Sequence, residues 1–487
     1  MNLQLFLPEI ILAAAAVAVI LLDLFVKRKG VLAAVSVAGL VVSAGFSLLL
    51  WGGDARVIFN DMVAVDNFAV LFKLLFAVIA ILVVLSSIDY VDKMENSQGE
   101  YYALVLLSTL GMMLMAAATE LMTIYVALEL TVLSLCALVG LLKDQKSSEA
   151  ALKYLLLSAL VSAVLLFGMA LVFGVTGKTQ LGEIAQAVQA MSLANMAANP
   201  ALIMGIVLLI AGLGFKIAAV PFHMWVPDVY EGAPTPITAF LSVGSKAAGF
   251  AVILRIFSSA FGSPEWLSSN WGLIFAVLAT ITMTLGNVAA LPQTNIKRML
   301  GYSSIAQAGY IMVGLAAIGV APANNVPAQS SIIFFLAGYA LANLGAFTAV
   351  IAISNKIDSD NIQDYSGMMK RAPGLSLALT ICLMSLIGIP PAAGFIAKFY
   401  IFSAGVNSGL IWLVIIAMAN SVISAYYYLR PIKVMWLGQP ASTESVYSSG
   451  ALRLALMVTC AGVLLLGTVP GLVMRLTVAA TKMFVFK

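Results

Sequence analysis

The stretch GLGFKIAAVPFHMWVPDVYEGAPTPITAFLSVGSK, at residues 212–246, decides the fold of this chain. It starts within a long apolar run, but two glycines precede Lys216 and a proline, Pro221, follows it. Glycine loosens a helix, and proline removes a backbone hydrogen-bond donor from it. The stretch therefore predicts an interrupted helix with a lysine deep inside it, followed by a second apolar segment that carries Lys246.

The rest of the chain is apolar as well. Of its 487 residues, 62% are hydrophobic and only 9% are charged, which is too little polar surface to cover a water-soluble globule. In lipid, a segment of about 20 apolar residues satisfies its own backbone hydrogen bonds as a spanning helix. The sequence predicts an all-α polytopic membrane protein with about fourteen transmembrane helices, at residues 4–26, 31–51, 67–88, 101–118, 121–142, 150–174, 201–222, 236–260, 271–292, 297–319, 329–354, 374–400, 409–431 and 451–474.

The chain is expected to form a single membrane domain, because no linker is long or polar enough to separate folded units. A second interrupted run, LIGIPPAAGFIAKF at 386–399, also combines Gly, Pro and one lysine, Lys398. Interrupted helices in matching positions favour repeated halves around an ion path. We expect, within the single domain 1–487, accessory helices in 1–88, five-helix repeats at 101–260 and 271–431, and a C-terminal helix at 451–474.

Loop charges predict the orientation of the helices, because Lys and Arg in short loops resist translocation. The loops of one side hold only Arg56 and Lys178. This asymmetry predicts an even number of helices with both termini on the outer side, and a short amphipathic helix is expected there within 179–197. The loops of the opposite side collect Lys27, Arg28, Lys29, Lys93, Lys143, Lys146, Lys297, Arg298, Lys356, Lys370, Arg371, Arg430 and Lys433.

Several classes of function are disfavoured by composition. Cys136, Cys382 and Cys460 have no partner at a metal or redox spacing, and His223 is the only histidine. No basic stripe interleaved with aromatic residues indicates nucleic-acid binding. We therefore expect neither a metal nor a cofactor in this chain, and no nucleic-acid partner.

Four charged residues lie deep in predicted helices: Glu129, Lys216, Lys246 and Lys398. A central charge costs at least about 2.5–3.5 kcal/mol, so each needs a partner, water or a function. Lysine suits a proton relay, because burial penalises its charged form and a nearby carboxylate stabilises it. Separating and restoring a pair of Glu129 and Lys216 would then release and take up a proton. The alternatives are a protonated packing role for Glu129 and snorkelling for Lys398.

Other charged residues have weaker claims to function. Lys153 begins a helix on the basic side, where it fits either a topological role or a second partner for Glu129. His223 stands where the interrupted helix leaves the membrane, and it is either a structural residue or a proton relay.

Charges nearer the helix ends are expected to be structural. Lys73 and Arg255 are predicted to snorkel toward the outer surface. Glu9 and Asp23 are predicted to stay hydrated near the two ends of the first helix, as anchors or subunit contacts.

The stretch at 212–246 closely resembles the core of the antiporter-like membrane subunits of respiratory complex I. PDVYEGAPTP and QTNIKRMLGYSSIAQAGY, at 293–310, resemble the N type of bacterial NADH-quinone oxidoreductase rather than the L or M types. The resemblance extends over roughly 100–430. It implies a bacterial inner-membrane protein with fourteen helices, two inverted five-helix repeats and discontinuous seventh and twelfth helices.

The resemblance also implies a function. The charged axis of the family falls on Glu129, Lys216, Lys246 and Lys398, with Lys153 as a secondary site. The chain would translocate protons, and other membrane subunits of the complex would flank it on both sides. NAD, FMN, iron-sulfur clusters and quinone would belong to other subunits. One departure is Gln307, where relatives often carry a histidine. An amide cannot carry charge, so a titrating relay is not expected there.

Three alternatives stay open. A subunit of a multi-subunit Na+/H+ antiporter would have the same fold, although PDVYEG favours complex I. A complex I relative that takes electrons from ferredoxin would contain a nearly identical subunit. A structural scaffold is the third, and it would have to bury at least four charges without using them.

Overall fold

Helices make up most of the computed structural model, which describes residues 3–26, 30–91, 94, 97–191, 199–321, 326–440, 442 and 444–482. A 3-10 turn at Leu3–Phe6 precedes the first helix, and a small hairpin of β1 and β2 lies in the loop after the second. The elements of the first half are α1 Leu7–Asp23, α2 Gly30–Leu49, β1 Arg56–Ile58, β2 Val63–Val65, α3 Asn67–Val91, α4 Gln98–Ala117, α5 Leu121–Val139, α6 Gln145–Thr176, α7 Leu181–Ala190, α8 Pro200–Lys216, α9 Trp225–Gly232 and α10 Thr235–Phe240.

A π-helical turn at Leu241–Ser245 joins α10 to the next helix without a break in the span. The helices of the second half are α11 Lys246–Ser259, α12 Glu265–Ala290, α13 Ile296–Val320, α14 Val326–Ile357, α15 Met368–Arg371, α16 Pro373–Ile387, α17 Ala393–Asn407, α18 Ile411–Leu437, α19 Gly450–Thr468 and α20 Gly471–Thr481.

The prediction of an all-α polytopic membrane fold is confirmed. Within the described residues, twelve helices are long and apolar enough to cross a membrane. Two predicted spans lie outside this group. The span 201–222 is helical only as far as Lys216, and the next helix begins at Trp225, beyond the predicted end. The span 374–400 is divided between α16 and α17. The total of fourteen crossings and the two repeats stay predictions.

Both breaks contain backbone that a continuous helix cannot accommodate. α8 ends two residues before Ala218, which has a φ of 61°, and α16 ends directly before Gly388, which has a φ of 94°. This left-handed region suits glycine and is costly for other residues. Pro221 and Pro390 follow and have no N–H to continue the helix. Local sequence thus ends each helix in the middle of an apolar run.

Some predicted elements differ in length from those observed. The predicted C-terminal helix at 451–474 is divided into α19 and α20, because Pro470 ends the helical pattern. The amphipathic helix predicted within 179–197 is confirmed as α7, which buries Leu181, Ile184 and Val188. Residues 192–198 of that prediction lie outside the described residues.

Two buried ion pairs correct the sequence interpretation of Lys73, Arg255 and Glu9. Lys73 Nζ lies 2.6 Å from Glu9 Oε1, and both side chains are almost fully buried, so neither snorkels nor stays hydrated. Arg255 donates from both terminal nitrogens to Asp66, at 3.0 and 3.2 Å, and from Nε to the Ala116 carbonyl. These partners come from distant parts of the chain, so helix-end position alone could not reveal them.

We expect Asp66→Asn to destabilise the protein by about 3–5 kcal/mol, because it leaves the buried guanidinium of Arg255 without its counter-charge. Thermal unfolding of the purified protein in detergent measures the effect. Lys178→Gln is the control, because its pair with Glu183 is long, at 3.4 Å, and half-exposed. A double variant, Asp66→Asn with Arg255→Leu, should recover part of the loss. Equal stability of Asp66→Asn and wild type would contradict a stabilising pair.

Candidate functional site

Lys216 is the last residue of α8 and lies at the first break. Its ammonium is buried and has no hydrogen-bond partner among the described residues. The neighbouring Phe215 carbonyl accepts a 3.1 Å hydrogen bond from the Trp225 indole of α9, besides one from the backbone N–H of Ala218. The break therefore satisfies its backbone with a tryptophan but leaves the lysine without an acceptor.

Glu129 lies on α5 and accepts a short hydrogen bond from the Ser162 hydroxyl of α6. Its side chain is partly accessible in the isolated chain. Among the described ion pairs, none within 4 Å joins it to Lys216. Glu129 and Lys216, the predicted pair, are therefore not in ionic contact. Glu129 is bound by a hydroxyl, and Lys216 has no acceptor among the described residues.

Lys153 is bound by carboxylates other than Glu129. Its Nζ lies 2.7 Å from Glu149 and 3.0 Å from Asp228, which belongs to α9. Asp228 also accepts from Arg298 of α13, at 2.9 Å. These side chains are roughly one-third to three-fifths exposed and line a cavity of about 230 Å³. Lys153 therefore lies in a solvated ionic cluster on the basic side of the protein.

His223 lies in the turn between α8 and α9. Its Nδ1 atom is buried and has no hydrogen-bond partner among the described residues. The turn connects the end of α8, which carries Lys216, to the helix that carries Asp228. A role for this histidine between them stays a prediction.

Lys246 begins α11 directly after the π-helical turn and is 1% exposed. Its ammonium donates to the backbone carbonyl and the hydroxyl of Ser304 on α13, at 2.5 and 2.7 Å. The Ser304 hydroxyl also lies 3.4 Å from the hydroxyl of Tyr230. π-Helical turns are frequent at functional sites. This turn was not predicted, because its residues are equally compatible with an ordinary helix.

Polar groups continue from Lys246 toward the second half. The Ser242 hydroxyl, in the π turn, accepts a 2.6 Å hydrogen bond from Asn343 of α14. The hydroxyl of Tyr339, one turn earlier on α14, donates to the Ser242 carbonyl at 3.2 Å. α14 therefore presents uncharged hydrogen-bonding groups to the segment that positions Lys246.

Lys398 lies on α17, after the second break, and is 5% exposed. Its ammonium donates to the carbonyls of Leu386 and Ile387, at 3.2 and 2.8 Å, and to the hydroxyl of Ser421, at 2.9 Å. These carbonyls belong to the last residues of α16, where a helix carries partial negative charge. Lys398 is thus bound by the broken helix and does not snorkel.

Gln307 joins the Lys398 site to the aromatic residues of α18. Its side-chain amide donates to the same Leu386 carbonyl, at 3.0 Å, and to the Tyr428 hydroxyl, at 3.3 Å. Gln307, Tyr339 and Lys398 line a cavity of about 10 Å³, close to the room that one water molecule needs. The amide therefore holds a carbonyl that the lysine also uses.

The sequence interpretation missed a cluster of amides and tyrosines beside Lys398. Asn287 donates to the hydroxyl of Tyr310 at 2.9 Å and to Asn420 at 3.2 Å, and accepts from Tyr427 at 2.9 Å. The Tyr310 ring lies 4.7 Å from Lys398 Nζ. Asparagines in the middle of apolar helices were the signal that could have revealed it.

No group of three or more His, Cys, Asp or Glu residues that could hold a metal ion occurs within the described part of the chain. The site is instead a series of buried ammonium groups separated by hydroxyls, amides and backbone carbonyls. Such a series can hold water and move protons between neighbouring groups.

Comparison with known proteins identifies the family. The NADH-quinone oxidoreductase subunit N of Dehalococcoides mccartyi is 50% identical over 485 residues, which cover 99% of this chain and 100% of that protein. A chain of respiratory complex I from Thermus thermophilus has a TM-score of 0.81 at 33% identity, over 97% of this chain and 100% of that chain.

A chain of the Mrp complex from Dietzia sp. has a TM-score of 0.86, over 100% of this chain and 98% of that chain, and its 21% identity supports a common fold alone. A family model described as "NADH:quinone oxidoreductase/Mrp antiporter, TM" matches residues 118–424. This protein therefore belongs to the family of antiporter-like membrane subunits of NADH:quinone oxidoreductases and Mrp antiporters.

Proposed function

We propose that this chain is a proton-translocating membrane subunit of an NADH:quinone oxidoreductase. The observation that carries the proposal is the series of buried ammonium groups of Lys216, Lys246 and Lys398, each at a break or π turn in a membrane-spanning segment. Buried charges are costly, and such interruptions expose backbone groups at mid-membrane. The near full-length match to subunit N at 50% identity supports the choice of complex.

The mechanism rests on separating and restoring opposite charges. If Glu129 leaves Ser162 and approaches Lys216, it stabilises the ammonium, and withdrawal favours release of the proton. Released protons would pass Lys246 and its Ser304 contacts and reach Lys398 through the hydroxyls and amides of α13 and α14. Each charge moved against the membrane potential requires about 2.3 kcal/mol per 100 mV, so several groups in series divide the work.

Lys153 and His223 are proposed as secondary relay groups. Lys153 shares Asp228 with Arg298 in a cluster open to solvent on the basic side, where protons can enter. In the sequence, His223 lies between Lys216 and Asp228, the residue that belongs to this cluster. Both roles depend on rearrangement of the observed contacts.

The energy for transport would come from other subunits. We propose that NAD, FMN, iron-sulfur clusters and quinone are bound there, and that membrane subunits flank this chain on both sides. The chain would lie in a bacterial inner membrane with both termini on the outer side, in keeping with its loop charges. Twelve long helices and two broken ones would give fourteen crossings, with repeats at 101–260 and 271–431.

A cation/proton antiporter subunit is the second candidate, because the matching family model covers both kinds of complex and the fold is common to the Mrp complex. Sodium dependence separates the two. A sodium requirement for transport, without any effect of NADH oxidation, would favour the antiporter.

We expect Lys216→Ala and Glu129→Ala each to lower NADH-driven proton pumping and quinone reduction severalfold, because both remove a charge from the proposed switch. The measurement uses native membranes, after immunoblotting for assembly of the complex. Lys178→Ala, a half-exposed lysine outside the axis, is the matched control. Unchanged activities in both variants, with normal assembly, would exclude the charge relay and favour a scaffold or a separate antiporter.

Gln307→Leu is expected to lower pumping, because it frees the Leu386 carbonyl that also binds Lys398, and to cost about 1 kcal/mol of stability through the lost hydrogen bond. Gln307→His retains an N–H donor and should recover much of the activity. Measuring proton pumping at several pH values distinguishes two roles of this position, which are to position a carbonyl through an N–H donor and to transfer protons through a titrating side chain. If pumping by Gln307→His depends on pH near 6–7 and its rate stays low, the proposal that the Gln307 amide acts by positioning the Leu386 carbonyl is wrong.

A further inference from the structure

A cavity of about 590 Å³ lies between α16, α19 and the segment that precedes α19. It is on the side of the protein that carries the basic loops and is separate from the buried lysine axis. One end of the cavity is polar, and the rest is an apolar groove. We propose that it binds one anionic phospholipid of the surrounding bilayer.

The polar end carries two positive charges without an acidic residue in its lining. Arg371 donates from Nε to the Glu444 carbonyl at 2.9 Å, and Arg453 donates from Nε to the Ser448 hydroxyl at 3.3 Å. Within the described residues, neither guanidinium has an ion pair, so their terminal nitrogens are free for an anion. Two guanidinium groups facing one cavity match the geometry of a phosphodiester.

Backbone groups at the same end favour an anion as well. α16 begins at Pro373 with no side-chain cap, so the first N–H groups of the helix, at Gly374 and Leu375, have no capping side chain. Both residues line the cavity. An uncapped helix start carries partial positive charge. This adds to the two arginines and does not by itself define the site.

The apolar part of the cavity fits acyl chains. Leu377 and Ile381 of α16 face Met457 and Cys460 of α19 across the groove. Met457 is 62% exposed and Leu377 is 48% exposed, so the groove opens sideways to the membrane. Tyr447, 71% exposed, lies at the polar end, where aromatic residues are typical of the headgroup level. A free phosphate would leave this apolar surface uncovered.

The ionic cluster around Lys153 shows why charge balance matters. That cavity is lined by three basic residues, Lys146, Lys153 and Arg298, and by the acidic residues Glu149, Asp228 and Glu231. Its charges are neutralised within the protein, so it has no excess attraction for an anion. The cavity beside α16 has an excess of positive charge, because its lining contains two arginines and no acidic residue. Basic pockets between membrane helices are typical lipid-headgroup sites.

The test is native mass spectrometry of the purified, delipidated complex that contains the full chain. Phosphatidylglycerol and phosphatidylcholine with identical acyl chains are added in turn. We expect preferential binding of phosphatidylglycerol, and about tenfold or more weaker binding after Arg371→Gln with Arg453→Gln. Lys370→Gln with Lys433→Gln is the matched control, because it removes two exposed charges from the same side without touching the cavity. It should bind as wild type does.

A second variant keeps the proposal testable if the arginine variant fails to fold. Met457→Trp fills the groove without changing charge and should displace the lipid. Equal binding of phosphatidylcholine, or displacement of the lipid by millimolar inorganic phosphate, would overturn the proposal. Binding to the isolated chain but not to the assembled complex would also overturn it, because a neighbouring subunit would then cover the groove.

Discussion

The carbonyl groups freed where α16 ends at Ile387 must find donors inside the membrane, because the hydrocarbon core contains no water to satisfy them. Lys398 supplies that donor with its ammonium group, and the Leu386 carbonyl is shared with Gln307. The same contacts stabilise the Lys398 ammonium, since a buried charge needs hydrogen-bond acceptors. The break in the helix and the charge beside it therefore stabilise each other, and the position of one fixes the position of the other.

The first break meets the same constraint in a different way. The Phe215 carbonyl is covered by the Trp225 indole, so Lys216 is not needed as a donor, and its ammonium has no acceptor among the described residues. Glu129, meanwhile, is held by Ser162. Lys216 is thus the ammonium that an approaching carboxylate would stabilise most, whereas Lys398 already has three acceptors. In the proposed relay, charge separation would therefore begin at the first break, between Glu129 and Lys216.

The sequence was enough to predict the helical class, the two breaks and the burial of Lys216, Lys246 and Lys398, because each depends on local composition and on the cost of charge in lipid. It was wrong for Lys73 and Arg255, because their partners lie on segments about 60 and 190 residues away. It could not reveal the π turn before Lys246 either, since hydrogen-bond register depends on packing against Ser304 and Asn343. The role of each lysine in transport stays a prediction, as do the two repeats.

Asp228 offers a physical link between the two halves. It lies on the short helix after the first break and binds both Lys153 of α6 and Arg298 of α13. Each of these half-exposed pairs is worth only about 0–1 kcal/mol, so exchanging partners costs little. α6 also carries Ser162, which holds Glu129. We propose that a proton or a displaced charge at this cluster acts on the Glu129 carboxylate through α6 and on the break that carries Lys216 through α9. The ion pairs of Asp228 are weak and solvated, whereas the contacts in the interior of the protein are buried. Such pairs would exchange partners without unfolding the surrounding helices.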